Sequence, residues 1–150
     1  MRTNPPDALI RVPRTGIGLF ELDKSSEAIL AGRNAAVAAL PAIREALERA
    51  GMPAQGAAIV TEVQLESSLR GQLTHNVGDI PRYAARLAAG VLNANPAIQV
   101  VETSAISATV DGDNAPGQWV ATVAMEEAIA LARRSGAGMV SVRRSNHFGA

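Results

Sequence analysis

The chain has no cysteine. That excludes a disulfide framework, thiolate-bound zinc and a cysteine nucleophile together. Aromatic residues make up only 3%, as Trp119, Tyr83, Phe20 and Phe148. The core must therefore come from Ala, Val, Ile and Leu, and each alanine buries little area. Neither sign of charge dominates: Lys+Arg is 14, Asp+Glu is 14, and the formal net charge is zero. A balanced chain argues against a dedicated nucleic-acid binder, which needs a basic surface to displace counterions, and gives no polybasic membrane signal. No stretch approaches the ~20 consecutive apolar residues of a membrane span. The start, MRTNPPDALIRVPRTG, lacks the continuous apolar segment of a secretory signal. The expectation is a soluble cytoplasmic protein. Histidine is scarce, so imidazole chemistry has only His75 and His147 to use.

What is present suffices for a fold. The 150 residues fit one domain or a little less, and 47% are hydrophobic, enough to drive collapse. Residues 1–33 read as a partly ordered arm, because Pro5, Pro6, Pro13, Gly16 and Gly18 interrupt every period. Gly16-Ile17-Gly18 is not a dinucleotide fingerprint, since the third glycine is absent. Residues 34–95 read as a helical subdomain. Val37, Leu40, Ile43 and Leu47 recur at helical spacing, with Pro41 expected in the first turn and Gly51 as the stop. A second helix is expected over 54–69 with Val60, Val63 and Leu69 on its buried face, forming an αα-hairpin with the first. A loop carrying His75 leads to a third helix over 80–89, with Asp79 at its N-cap position.

After Pro96 the period changes. Residues 98–102 and 106–110 are rich in β-branched residues and read as strands. Asp111-Gly112-Asp113-Asn114 reads as a tight turn. It is not a calcium loop, because Pro116 holds the glycine position and Thr122 the glutamate position. A helix over 116–135 and a strand over 139–143 complete a β-β-α-β segment, residues 96–150. If the last strand lies parallel beside the 106–110 strand, the crossover is right-handed.

His147 stands just past the carboxyl end of a predicted strand, where ligands bind in α/β sheets. Free imidazole has a pKa of ~6.5, which suits a proton donor near neutrality. Ser145, Asn146 and Gly149 add a hydroxyl, an amide and room for backbone approach. His75 lies between Thr74 and Asn76 in the loop joining the second and third helices. Arg82 and Arg86, one turn apart, form either a fork for a carboxylate or a solvated face. Trp119 and Phe148 read as core more readily than as a stacking platform.

Five blocks in this order and spacing carry a resemblance: Ala50-Gly51-Met52-Pro53; Leu69-Arg70-Gly71 with Thr74-His75; Ile80-Pro81-Arg82-Tyr83; Val110-Asp111-Gly112-Asp113-Asn114 with Gly117-Gln118; and Ser145 to Ala150. From about Arg33 onward the chain resembles the N-terminal part of the type-2 malate/L-lactate dehydrogenases, NAD(P)-dependent oxidoreductases distinct from the Rossmann-fold lactate dehydrogenases. The resemblance implies an α/β protein. An N-terminal helical subdomain would precede an incomplete piece of the family's non-Rossmann NAD(P)-binding sheet. It implies reversible hydride transfer between NAD or NADP and a 2-hydroxy acid or its 2-keto partner. His147 corresponds to the acid/base, and His75 to the second histidine of the site. Thr74 keeps the hydroxyl of the family's Ser-His motif, and Tyr83 corresponds to a position lining the substrate pocket. Arg82 is expected to meet the substrate in place of the arginine missing at Asp79, and Asn146, Phe148 and Gly149 are expected on the cofactor side. No metal is implied.

Departures from the family pattern are local. Thr74 replaces a serine and keeps the hydroxyl, Asn76 replaces a glycine, and Asp79 stands where the family carries an arginine for the substrate carboxylate. Family members are also longer. The expectation is a truncated or split member that works as a homodimer or with a chain supplying the C-terminal half. The alternative is a non-catalytic remnant acting as a dimerisation or interaction module.

Overall fold

The computed structural model describes residues 11, 22–72 and 74–147. A short 3₁₀ turn, Leu22–Lys24, leads into α1 (Ser25–Arg49). Then come α2 (Ala54–Leu69), a 3₁₀ turn (Val77–Asp79) and α3 (Ile80–Ala88). The sheet follows as β1 (Gln99–Ser104), β2 (Ser107–Ala115), the crossover helix α4 (Gly117–Ser135) and β3 (Met139–Ser145).

Helix α1 begins much earlier than the sequence pattern predicts, inside the segment read as an arm. Pro41 therefore lies within the helix, not in its first turn. The run of Ala28, Leu30, Ala31, Ala35 and Ala36 has strong helix propensity and carries the helix through the proline. Pro41 removes the bond to the carbonyl of Val37, but both residues are exposed, Val37 by 47%. The freed carbonyl is open to water, which limits the penalty. Residues 1–10 and 12–21, the rest of the expected arm, lie outside the described residues.

The main core gathers Ile43 and Leu47 of α1, Ala57 and Val60 of α2, Ile80, Tyr83 and Leu87 of α3, and Trp119 of α4. Trp119 is thus core, as its scarcity suggested, and it ties the helices to the sheet. Gly56 makes this contact possible. A Cβ there would lie 2.6 Å from Trp119 Cε3, closer than carbon atoms pack. The expected buried face of α2 is only partly right: Val60 is fully buried, whereas Val63 and Leu69 are exposed. Helix α2 turns more of its small residues, Gly56, Ala57 and Thr61, inward.

The sheet order is β1-β2-β3. β1 runs antiparallel to β2, pairing Val101 with Thr109. β3 runs parallel to β2, pairing Val110 with Val142, and α4 makes the crossover that parallel pairing demands. One face of β2, through Val110 and Ala115, packs on Val120 and Ala124 of α4 as a second core. The Asp111–Asn114 segment is not a tight turn. It remains in β2, which runs on to Ala115, and forms an irregularity in the pairing with β3. Its polar groups are held mainly by neighbouring segments, the Asp111 and Asp113 carboxylates by Arg143 and Arg144 of β3 and the Asn114 amide by the Val91 carbonyl, so the strand continues without a chain reversal. Among the described residues no helix is long and apolar enough to cross a membrane.

Candidate active site

The α2–α3 loop is built to present a histidine. Helix α2 closes with Gly71 at φ +77°, the left-handed geometry glycine adopts without a Cβ penalty. Gln72 N then donates to Ser67 O at 3.1 Å. Two serines of the last helical turn bind the loop back onto the helix: Ser67 Oγ donates to the His75 carbonyl, and Ser68 Oγ accepts from Val77 N at 3.1 Å. Asn76 fastens both ends, donating to Gln72 O at 2.7 Å and accepting from Gly78 N at 2.8 Å. His75 Nδ1 lies 3.0 Å from Thr74 Oγ1, so the hydroxyl beside the imidazole helps set which ring nitrogen carries the proton.

His147 arrives from the carboxyl end of β3. The Asn146 amide donates to Ala115 O at 3.2 Å, and its side chain donates to Asn114 Oδ1 at 3.2 Å. Tyr83 contributes from α3. It is 3% exposed, accepts from Gln118 Nε2 at 2.7 Å and donates to the His147 carbonyl at 3.4 Å. Gln118 can only donate through that nitrogen, so the phenolic proton is directed at the backbone of His147.

These supports bring the two imidazoles together. His75 Nε2 and His147 Nε2 are 3.0 Å apart, with ring centroids at 4.9 Å and planes inclined by 66°. A hydrogen bond between two imidazole nitrogens holds one proton, donated by one ring and accepted by the other. His75 is half-buried and His147 exposed. The pair therefore combines an anchored imidazole with one that solvent or a small molecule can reach. Such a pair can deliver a proton to a bound carbonyl and recover it through its partner. Among the described residues no three His, Asp or Glu side chains converge as a metal site.

The other expected site residues fall into place unevenly. Thr74 touches the pair directly. Tyr83, expected to line a substrate pocket, is buried, and its hydroxyl reaches the His147 backbone carbonyl. Arg82 Nη2 lies 3.2 Å from Asp79 Oδ1, so its largely exposed guanidinium faces a carboxylate at the start of its own helix. Asp79 occupies the N-cap position of α3, but its side chain makes no capping bond. Its φ of −83° and ψ of −11° are already helical, and its carboxylate turns toward Arg82. Phe148 and Gly149 lie outside the described residues. Sequence reading missed Ser67 and Ser68, because serine at a helix end carries no motif; Gln118 stands in one of the five blocks, but nothing in the sequence shows its bond to Tyr83.

Comparison with known proteins decides the family. A sequence profile described as malate/L-lactate dehydrogenase matches residues 35–150. This chain belongs to the malate/L-lactate dehydrogenase family. L-sulfolactate dehydrogenase of Methanocaldococcus jannaschii is 38% identical over 107 residues, which are 71% of this chain and 31% of that protein. Ureidoglycolate dehydrogenase (NAD(+)) of Escherichia coli strain K12 is 36% identical over 108 residues, 72% of this chain and 31% of its own length. The solved malate dehydrogenase of Pyrococcus horikoshii OT3 superposes with a TM-score of 0.68 at 36% identity, covering 71% of this chain and 31% of that one. The fold is thus that of the malate/L-lactate dehydrogenase family, with helices preceding a three-stranded sheet. The chain spans about a third of the length of the curated relatives it matches.

Proposed function

We propose that this chain carries the acid/base half of an NAD(P)-dependent oxidoreductase that interconverts a 2-hydroxy acid and a 2-keto acid. The observation that carries the reading is the 3.0 Å contact between the only two histidines of the chain. NAD or NADP, when bound, supplies or accepts the hydride. The donor set fits that chemistry, because hydride addition to a carbonyl carbon creates an alkoxide oxygen that needs one proton. His147, the exposed member of the pair, gives the proton to the keto oxygen, and His75 orients it and takes part in reloading it. In the reverse direction His147 removes the hydroxyl proton. Thr74 and Arg82 are assigned to the substrate, with Tyr83 holding the His147 backbone. Asn146, Phe148 and Gly149 are assigned to the cofactor side, with Asn146 also fixing the loop through Asn114. Cytoplasmic activity as a homodimer belongs to the same reading.

The test is a chimaera in which residues 35–150 replace the matching segment of the L-sulfolactate dehydrogenase. Purified chimaera that oxidises NADH or NADPH with a panel of 2-keto acids supports the reading. A folded chimaera inert towards all of them contradicts it.

A second reading rests on another observation. β3 has β2 as its one neighbour among the described residues. Beside it, Ala121, Ala124, Met125, Ala128, Val140 and Val142 line an apolar groove of about 340 Å³. An open strand edge next to apolar surface favours association with another chain. On that reading the segment is an interaction module, whose partner is a second copy or a chain carrying the rest of the family's fold.

A further inference from the structure

Three non-glycine residues among those described have positive φ: Asp113 at 47°, Asn114 at 60° and Arg144 at 50°. They face one another across β2 and β3. Pairing runs from Asp111↔Arg143 to Ala115↔Ser145. The chain therefore takes four steps along β2 and two along β3, and Gly112-Asp113-Asn114 bulges. Arginine gains nothing intrinsic from left-handed backbone, so something else must hold it there.

The Asp113 carboxylate is the convergence point. Its Oδ1 binds Arg144 Nη2. Its Oδ2 accepts from Asn93 Nδ2 at 2.8 Å and from Ala97 N at 3.1 Å. The Asp113 amide donates to Asp111 Oδ1 at 3.1 Å, and that same oxygen lies 3.5 Å from Arg144 Nε. Gly112 admits the crossing, since a Cβ there would sit 2.8 Å from Val120 Cγ2 and 2.9 Å from the Arg144 carbonyl oxygen. Asn114, next in the bulge, holds Asn146. One carboxylate thus ties the 93–97 loop, the bulge and the end of β3 into a unit three residues before His147.

We propose that Asp113 is a positioning residue for the histidine pair: by clamping Arg144 in its left-handed conformation it bends the end of β3 and brings His147 Nε2 to His75. This rests on reading His147 as the acid/base of the site. With Arg144 relaxed to extended backbone, the chain leaves β3 in a different direction and His147 loses its partner.

The experiment uses the 150-residue protein labelled with ¹⁵N, whose two histidines give two assignable imidazole spin systems. In the parent protein, His75→Ala is expected to shift the His147 Nε2 resonance, because the contact disappears. In Asp113→Ala and Asp113→Asn backgrounds the same replacement is expected to leave His147 unmoved, while the methyl signals of Val110 and Val120 keep their positions. Arg144→Gly is the second variant, in case Asp113 variants fail to fold. Glycine accepts the positive φ but lacks the guanidinium, and loss of the His75 dependence is again expected. His147 that still responds to His75 in a folded Asp113→Ala or Arg144→Gly protein overturns the proposal alone. A parent protein whose His147 ignores His75 overturns both the pair and the proposal.

Discussion

Tyr83 and His147, 64 positions apart, are joined by a hydrogen bond from the phenol to the backbone carbonyl, and Gln118 behind Tyr83 fixes its direction. A side chain from the helical core therefore helps set where the chain lies two residues past the end of β3. The site is a junction between the two halves of the fold, and its geometry depends on both.

Tyr83→Phe tests this junction. The variant removes the donor to the His147 carbonyl and takes from the buried Gln118 Nε2 its bond to Tyr83, next to a Gln118 Oε1 that has no hydrogen-bond partner among the described residues. An unsatisfied buried polar group costs about 1–3 kcal/mol. Thermal and denaturant unfolding should register that loss, and Tyr83→Phe with Gln118→Met should recover part of it. A single variant as stable as the parent would show that the chain of bonds contributes nothing.

Two glycine substitutions should act in opposite directions. Gly56→Ala drives a methyl into the Trp119 ring and should destabilise by about 1–3 kcal/mol through overpacking. Gly32→Ala, in α1 with no atom of the described residues within 4 Å of the new carbon, should stabilise by about 0.5–1 kcal/mol through helix propensity. Urea midpoints of the two proteins decide it, and equal midpoints would contradict the close α2–α4 contact.

Much of this fold is legible in residue patterns. The limits of α2 and α4 and the burial of Trp119 follow from apolar spacing, glycine stops and the scarcity of aromatics, whereas the parallel β2–β3 pair is only a condition in the sequence and is established by the register. The start of α1 does not, because Pro41 looks like a first-turn residue until alanine propensity on its N-terminal side is weighed. Asp111–Asn114 has turn composition yet stays in the strand, because Arg143 and Arg144, on the distant strand β3, neutralise its carboxylates. The histidines could be named as candidates, and the family resemblance assigns them roles. Their contact is a tertiary fact, supported by Ser67 and Ser68, which carry no signature, and by Gln118, whose place in a motif block does not reveal its bond to Tyr83.

Asp79 provides a third check. It makes no capping bond, and its pairing with Arg82 is largely exposed on the guanidinium side. Such pairs contribute about 0–1 kcal/mol. Asp79→Asn should therefore change stability by less than about 1 kcal/mol, measured by the shift in unfolding midpoint. A larger loss would mean that the carboxylate holds the α3 start by means other than those seen.

The acid/base assignment itself is tested most directly by His147→Ala in the chimaera with L-sulfolactate dehydrogenase, measured as kcat for 2-keto acid reduction beside a thermal unfolding curve. Loss of a positioned acid/base lowers rates by about 10²–10⁴-fold. The account predicts a fall in that range with unfolding temperature unchanged. A folded variant that keeps the parental kcat would contradict it.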